Sequence, residues 1–251
     1  MNAKITLTTL AVLLTASGTA GAEGSWHYSL SPYMWLAGVE GESATVPPLP
    51  PAPIDISPSD AADDTDVSYM LTLTGKKGRH GWMADFLYTD VRSDEDFAPA
   101  LGLSLESVSK NQMFTLAYSY ELIQSDSAFL DAFAGARYWN VDTSLRFSGG
   151  QGLLAGRRIE NSDDWIDPVF GIKGRTDIGA SRFYLNGWAA LGGLNVGADL
   201  LYELSLNLGY QWTDSIGTTV GYRFFDVDYE DDGFLYDIEQ HGVMLGLTWQ
   251  F

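Results

Sequence analysis

Three histidines, two arginines in matched settings and a surplus of carboxylates are the residues with chemistry to offer. His27, His80 and His241 are the only imidazoles in the chain. A hydrolytic base would be an imidazole or a carboxylate held within hydrogen-bond reach of its orienter. His80 sits in the basic run Lys76-Lys77-Gly78-Arg79-His80, and His241 follows Asp237 and Glu239 closely enough to meet Asp228 across a hairpin. His241 also shares the parity of Val243 and Leu245, which turns it away from a cleft. Gly-x-Ser-x-Gly, His-Glu-x-x-His and glycine-rich phosphate loops are all absent. There are no cysteines, so disulfides, thiolate metal sites and thiol nucleophiles are excluded. The expectation is a protein that is not an enzyme, with no catalytic residue, no cofactor and no metal site.

The arginines are the stronger signal. Gly135-Ala-Arg137-Tyr-Trp-Asn-Val141-Asp142 echoes Gly221-Tyr-Arg223-Phe-Phe-Asp-Val227-Asp228 in spacing. Each arginine sits two residues after a glycine and out of phase with the neighbouring apolar row. Asp85, Glu121, Asp167, Lys173 and Glu203 share that inward phase on their own segments. A charge in a low-dielectric interior needs a partner, so a network of Asp85, Glu121, Arg137, Asp167, Lys173, Glu203 and Arg223 is expected. Such a ring either plugs an interior or selects solutes that pass it.

The elements that must position these groups alternate with a period of two. Leu200, Tyr202, Leu204, Leu206, Leu208, Tyr210 and Trp212 form one apolar row, with Asp199, Glu203, Ser205, Asn207, Gly209 and Gln211 between them. Successive strand side chains face opposite ways, so one face is apolar and the other polar. The polar face is small, amide or acidic, as a crowded lumen requires, and aromatics mark the segment ends, as a lipid girdle does. Ten such segments are readable: 25–39, 66–75, 81–92, 105–122, 128–147, 158–174, 181–192, 199–212, 216–229 and 235–251. In the first of these the phase is ambiguous, because Tyr33 and Trp35 oppose Met34 and Leu36. Eight or twelve strands are the neighbouring even counts, but the prolines within 41–65 argue against a hidden pair there. Alternate gaps are short turns, and the intervening gaps 40–65, 93–104, 148–157, 193–198 and 230–234 are mostly longer and more acidic. That parity is the asymmetry of a transmembrane antiparallel up-and-down β-barrel. Eight to ten strands leave an interior nearly filled by its own side chains.

Composition narrows the classes further. The chain carries 33 acidic and 14 basic side chains, a formal charge of −19, which excludes a nucleic-acid footprint. Asp63-Asp64, Asp94-Glu95-Asp96, Asp163-Asp164 and Glu230-Asp231-Asp232 are expected on outer loops, solvated or sharing divalent cations with lipid headgroups. Residues 1–22 read as a cleaved signal peptide: Lys4, an apolar run from Ile5 to Ala16, then Ala20-Gly21-Ala22. Residues 23–251 then form one barrel domain with a large outer loop at 40–65.

Two sets of residues carry a family resemblance. Val243, Leu245, Leu247, Trp249 and Phe251 resemble the C-terminal assembly signal of Gram-negative outer-membrane barrels, with Trp249 and Phe251 its key positions. Ser31-Pro32-Tyr33-Met34-Trp35-Leu36-Ala37-Gly38, Gly135-Ala136-Arg137-Tyr138-Trp139, Trp165-Ile166-Asp167-Pro168-Val169-Phe170-Gly171 and Gly221-Tyr222-Arg223-Phe224 resemble an uncharacterised family of porin-like small barrels. The resemblance implies fold, outer-membrane location with both termini periplasmic, and contact with lipopolysaccharide, lipids and the barrel assembly machinery. It implies no activity. A monomer is expected, acting as a narrow passive channel or a filled structural barrel, with small solutes or divalent cations as possible ligands. The alternatives are a surface binding or adhesion barrel using its acidic loops, and a hydrolase at the rim built on His241 and Asp228.

Overall fold

The computed structural model describes residues 24–47, 49–98, 103–149 and 156–251. Strands β1 (His27–Ala44), β2 (Ala52–Ile56), β3 (Thr65–Lys77), β4 (His80–Ala98), β5 (Leu103–Gln124) and β6 (Ala128–Gly149) are followed by β7 (Arg158–Asp177) and β8 (Phe183–Gly193). The chain ends with β9 (Leu200–Gln211), β10 (Ile216–Asp231) and β11 (Phe234–Gln250), and one short helix, α1, spans Pro58–Asp63. Neighbours in sequence pair antiparallel from β3 to β11, and β11 closes onto β1. Ten strands therefore form the wall, with β2 laid against the upper part of β1 as an addition.

Closure follows from the alternation. Leu204, Leu206 and Leu208 on β9 are exposed while Glu203, Ser205 and Asn207 are buried, so the polar row faces inward and the apolar row outward. Val220 and Tyr222 on β10 and Val243, Leu245 and Leu247 on β11 continue the outer apolar band. Water would penalise that band and hydrocarbon would not, while a closed ladder leaves no wall edge to satisfy. In β1 the phase resolves as Met34 and Leu36 outward, with Trp35 buried in the lumen.

One end of the barrel carries tight turns. Lys77 and His80 bracket a turn with Gly78 at φ +57°, a left-handed value that favours glycine. At the other end β4 to β7 are 19 to 22 residues long, about twice the 9–11 needed to cross a bilayer. The wall therefore projects well beyond the apolar band. Asp94 and Asp163-Asp164 lie on these projecting strands, and Glu230-Asp231 ends β10, where loops were expected. The polar ladder continues past the membrane level, where the alternation that marks strands in sequence fades. Among the described residues, β10 and β11 meet in a tight hairpin at Asp232 and Gly233, both with positive φ, as a two-residue type I′ turn requires.

The prolines of 41–65 do not prevent a ladder there. Glu42 pairs with Pro53 and Val39 with Ile56. Proline fits because β2 is an edge strand, whose missing N–H costs nothing when it faces away from its partner.

Candidate functional site: a charged plug in the lumen

Arg137 on β6 and Arg223 on β10 both point into the barrel and are almost fully buried. Gly135 and Gly221, two residues below them, lie where a Cβ would meet backbone: 2.1 Å from Leu116 O and 2.3 Å from Leu206 O. The glycines let the neighbouring strands approach closely at the level from which each guanidinium reaches across. Glu203 on β9 receives both. Arg137 Nη2 lies 2.7 Å from Glu203 Oε2, and Arg223 Nη2 lies 2.9 Å from Glu203 Oε1. Trp188 on β8 also donates its indole N–H to Glu203 Oε1.

The network extends on both sides. Arg137 Nε donates to Thr115 Oγ1 at 2.9 Å. Arg223 donates to the Tyr33 hydroxyl at 3.3 Å, and Tyr33 donates to Asp85 Oδ1 at 3.1 Å. Thr72 donates to Asp85 Oδ2 at 2.6 Å. Arg223 also stacks over Trp35, with its Cζ 4.4 Å from the ring centroid. Two guanidinium groups and two carboxylates make the cluster formally neutral, which is how a low-dielectric interior tolerates charge.

The other sequence-predicted residues fall elsewhere. Glu121 and Lys173 belong to a second cluster near the tight turns, where Lys76 Nζ bridges Glu121 at 2.7 Å and Asp131 at 3.2 Å. Lys173 lies 4.0 Å from Asp131 in the same cluster. Asp167 stands apart, accepting from the Ala198 backbone N–H at 2.7 Å and from Trp165 Nε1 at 3.0 Å. It fixes the β8–β9 connection against the inner wall. The seven residues thus make three groups because strands of different tilt bring different levels together. Tyr33, Thr72, Thr115, Lys76 and Asp131 were missed by sequence reasoning, although their inward parity was a usable signal. Trp188 belongs with these residues, its indole N–H bonded to Glu203.

Above the charged layer lies a layer of aromatic rings. Trp139 stacks on Trp165 at 5.4 Å, and Trp165 on Tyr229 at 3.8 Å with 6° between the planes. Val141, Leu201, Phe225, Val227 and Ile238 around them have 0–1% exposure.

The rim pair suggested by sequence is not formed. His241 Nδ1 meets the Tyr222 hydroxyl at 2.6 Å on the outer face, and its Nε2 lies 3.6 Å from Glu40 on β1. Asp228 pairs in register with Asp237, four residues from His241 on β11. The carboxylate beside His241 comes from the first strand, which only barrel closure could bring there. His80 Nδ1 likewise meets a tyrosine hydroxyl, that of Tyr118, at 2.6 Å near the tight turns. Two outward His–Tyr pairs at the band edges fit girdle residues that bond along the wall. The Trp249 ring packs at a tilt against Phe251 beside Tyr28 at the end of the closing strand. Among the described residues no group of three or more histidines and carboxylates is arranged to hold a metal ion.

This geometry can be set against known structures. The outer membrane protease OmpT from Escherichia coli has 11% identity and a TM-score of 0.54, covering 94% of this chain and 100% of that one. This chain has the transmembrane β-barrel fold of outer-membrane proteins. The attachment invasion locus protein Ail of Yersinia pestis has 12% identity and a TM-score of 0.37, over 92% of this chain and 100% of that one. The Pseudomonas putida toluene transporter TodX has 10% identity and a TM-score of 0.34, over 92% and 90%. At these values the OmpT likeness reports the fold alone, and the others add nothing to it. No protein-family profile matches the chain. No curated protein sequence matches it.

Proposed function

We propose that this protein is an integral barrel of the Gram-negative outer membrane with a sealed lumen, working at its outer surface and not as a conduit. The observation that carries the reading is Glu203, which spans the lumen between Arg137 and Arg223 and is 4% exposed. A permeating ion would have to break two charge-assisted bonds in a desolvated site, then pass the Trp139–Trp165–Tyr229 stack. On this reading the tight turns face the periplasm with both termini, and the apolar band contacts lipid and lipopolysaccharide. The projecting wall then presents its carboxylates to the exterior. That wall suits cationic partners, small or macromolecular, and divalent cations shared with lipid phosphates.

The reading is non-enzymatic, because His241 is turned to the outer face without a facing cleft. The deciding experiment is conductance of the chain, refolded in detergent and inserted into a planar bilayer. A folded, inserted and silent barrel is expected. Discrete ion-selective steps would return the function to a narrow channel past Arg137 and Arg223.

A further inference from the structure

The barrel wall is not laddered along its whole height. β1 and β3 pair from His27↔Lys76 to Pro32↔Leu71, and there the ladder stops. Above it β3 pairs only with β4, and β1 next gains a partner on that side at Val39, opposite Ile56 of β2. Tyr33–Gly38 and Thr65–Met70 therefore form two edges facing one another without a ladder, over about 20 Å at 3.3 Å per residue. Pro32 stands at the break: it has no N–H to donate and a fixed φ. The β1–β11 ladder skips the same place, passing from Leu30↔Trp249 to Tyr33↔Gly246.

This seam opens in the apolar band. Met34 and Tyr69, which would face each other if the register continued, are 58% and 60% exposed, and β11 beside them carries Leu245 and Val243. Unpaired strand edges in hydrocarbon are costly unless something supplies donors and acceptors. The seam has a roof and a back wall. A Cβ on Gly38 would lie 2.9 Å from Ile56 O and 3.0 Å from Pro58 Cδ, so the β2–α1 segment closes the top tightly. Behind the edge, on the lumen side, lies Trp35, 8% exposed and stacked with Arg223, which backs the seam. Residues 41–75, which frame the upper seam, hold six carboxylates and no lysine, arginine or histidine.

We propose that this seam is a lateral binding site for a single-chain cationic amphiphile. Its hydrocarbon chain lies between Met34, Leu36, Val67 and Tyr69. An acceptor oxygen meets the free strand edges, and its cationic head sits beneath the Asp55, Asp63 and Asp64 fringe. A hydrocarbon-facing opening selects an amphiphile, and the acidic frame, in which Arg92 of β4 pairs Asp66 at 3.2 Å and leaves the Asp55, Asp63 and Asp64 fringe acidic, selects its charge. A second barrel is a poorer occupant, because the gap is short and bounded above by β2–α1 and below by Pro32↔Leu71.

The test uses a diazirine-bearing analogue of lauroylcholine, photolysed with the barrel in phospholipid bilayers and mapped by mass spectrometry. Expected crosslinks fall on Tyr33–Gly38 and Thr65–Met70 and are competed by lauroylcholine. They should be lost when a Met34→Cys/Tyr69→Cys variant is bridged across the seam by a bifunctional methanethiosulfonate, and regained on reduction, which cleaves the bridge. The Asp55→Asn/Asp63→Asn/Asp64→Asn variant, altered only on the fringe, should bind lauroylcholine about tenfold more weakly, as three screened ion pairs allow. Competition by uncharged methyl laurate should not move. Crosslinks spread evenly around the band, or unchanged by the bridge, would overturn the proposal. So would equal competition by laurate and lauroylcholine, or dimers joined through Met34→Cys that ignore the probe.

Discussion

Arg137 and Arg223 lie on strands separated by three others, yet they share one acceptor, each bonding a different oxygen of Glu203. Removing that acceptor leaves two buried guanidinium groups facing each other. Glu203→Gln is expected to cost about 3–5 kcal/mol, the range for breaking a buried ion pair from one side. Arg137→Met should cost less, because Arg223 still neutralises Glu203 and the new side chain fills the space. Urea midpoints of the folded barrel in lipid vesicles measure both. A Glu203→Gln variant as stable as the parent would remove the clamp from the account of how the lumen is held.

The two layers of the plug make a separable statement about permeation. Arg223→Ala removes the stacking partner of Trp35 but leaves the Trp139–Trp165–Tyr229 stack in place. Bilayer recordings of Arg223→Ala should stay silent, and those of Trp165→Ala should as well. The combined variant should conduct, since it breaches both layers. Steps already present in Arg223→Ala would mean that the aromatic layer does not seal.

Much of this was legible in the sequence, and the reason is the pleat. A period of two places Arg137, Glu203 and Arg223 inside and Leu204, Leu206 and Leu208 outside without any knowledge of neighbours. The short turns and the closing β11–β1 ladder make ten strands the count that alternation and turn parity both support. Which inward residues meet is a different matter, fixed by strand tilt and stagger. Glu121 and Lys173 therefore joined Lys76 and Asp131, and Asp167 went to the β8–β9 connection. The break at Pro32 was written in the chain, but a single proline in a strand reads equally well as an edge, a bulge or a bend. The strand β2 was hidden because proline-rich stretches argue against ladders unless the strand lies at an edge.

Gly38 tests how the β2–α1 segment is held. With no room for a side chain beneath Ile56 O and Pro58, Gly38→Val should lift that segment from β1 while the β1–β11 ladder survives. Limited proteolysis of the intact barrel is the readout. New cleavage within residues 45–64 is expected, with the barrel core retained and the difference in gel mobility between unheated and heated samples the same as in the parent. A variant as resistant as the parent would show that β2 is held by contacts other than this close approach.

The projecting wall carries a pH dependence of definite sign. Asp228 on β10 pairs with Asp237 on β11, which pairs in turn with Glu42 on β1, so carboxylates stand directly opposite one another. Burial pushes the Asp228 carboxyl above its usual range, and Asp237, Asp199 and Glu230 push it further. A carboxyl whose folded pKa exceeds its unfolded value binds protons more tightly when folded, so it makes the fold less stable as pH rises between the two values. Lowering pH from neutrality through the raised folded value should therefore stabilise this region, with the full gain reached below the ordinary aspartate range. Asp237→Asn removes one of the like charges and should stabilise the barrel at neutral pH by roughly a few tenths of a kcal/mol, as an exposed cross-strand pair allows. It should also flatten the pH dependence. Hydrogen exchange at the β10–β11 hairpin, followed from pH 7 to pH 4 in parent and variant, measures both effects. Protection that falls on acidification in the parent would give the carboxylate ladder the opposite sign, that of groups held ionised by partners.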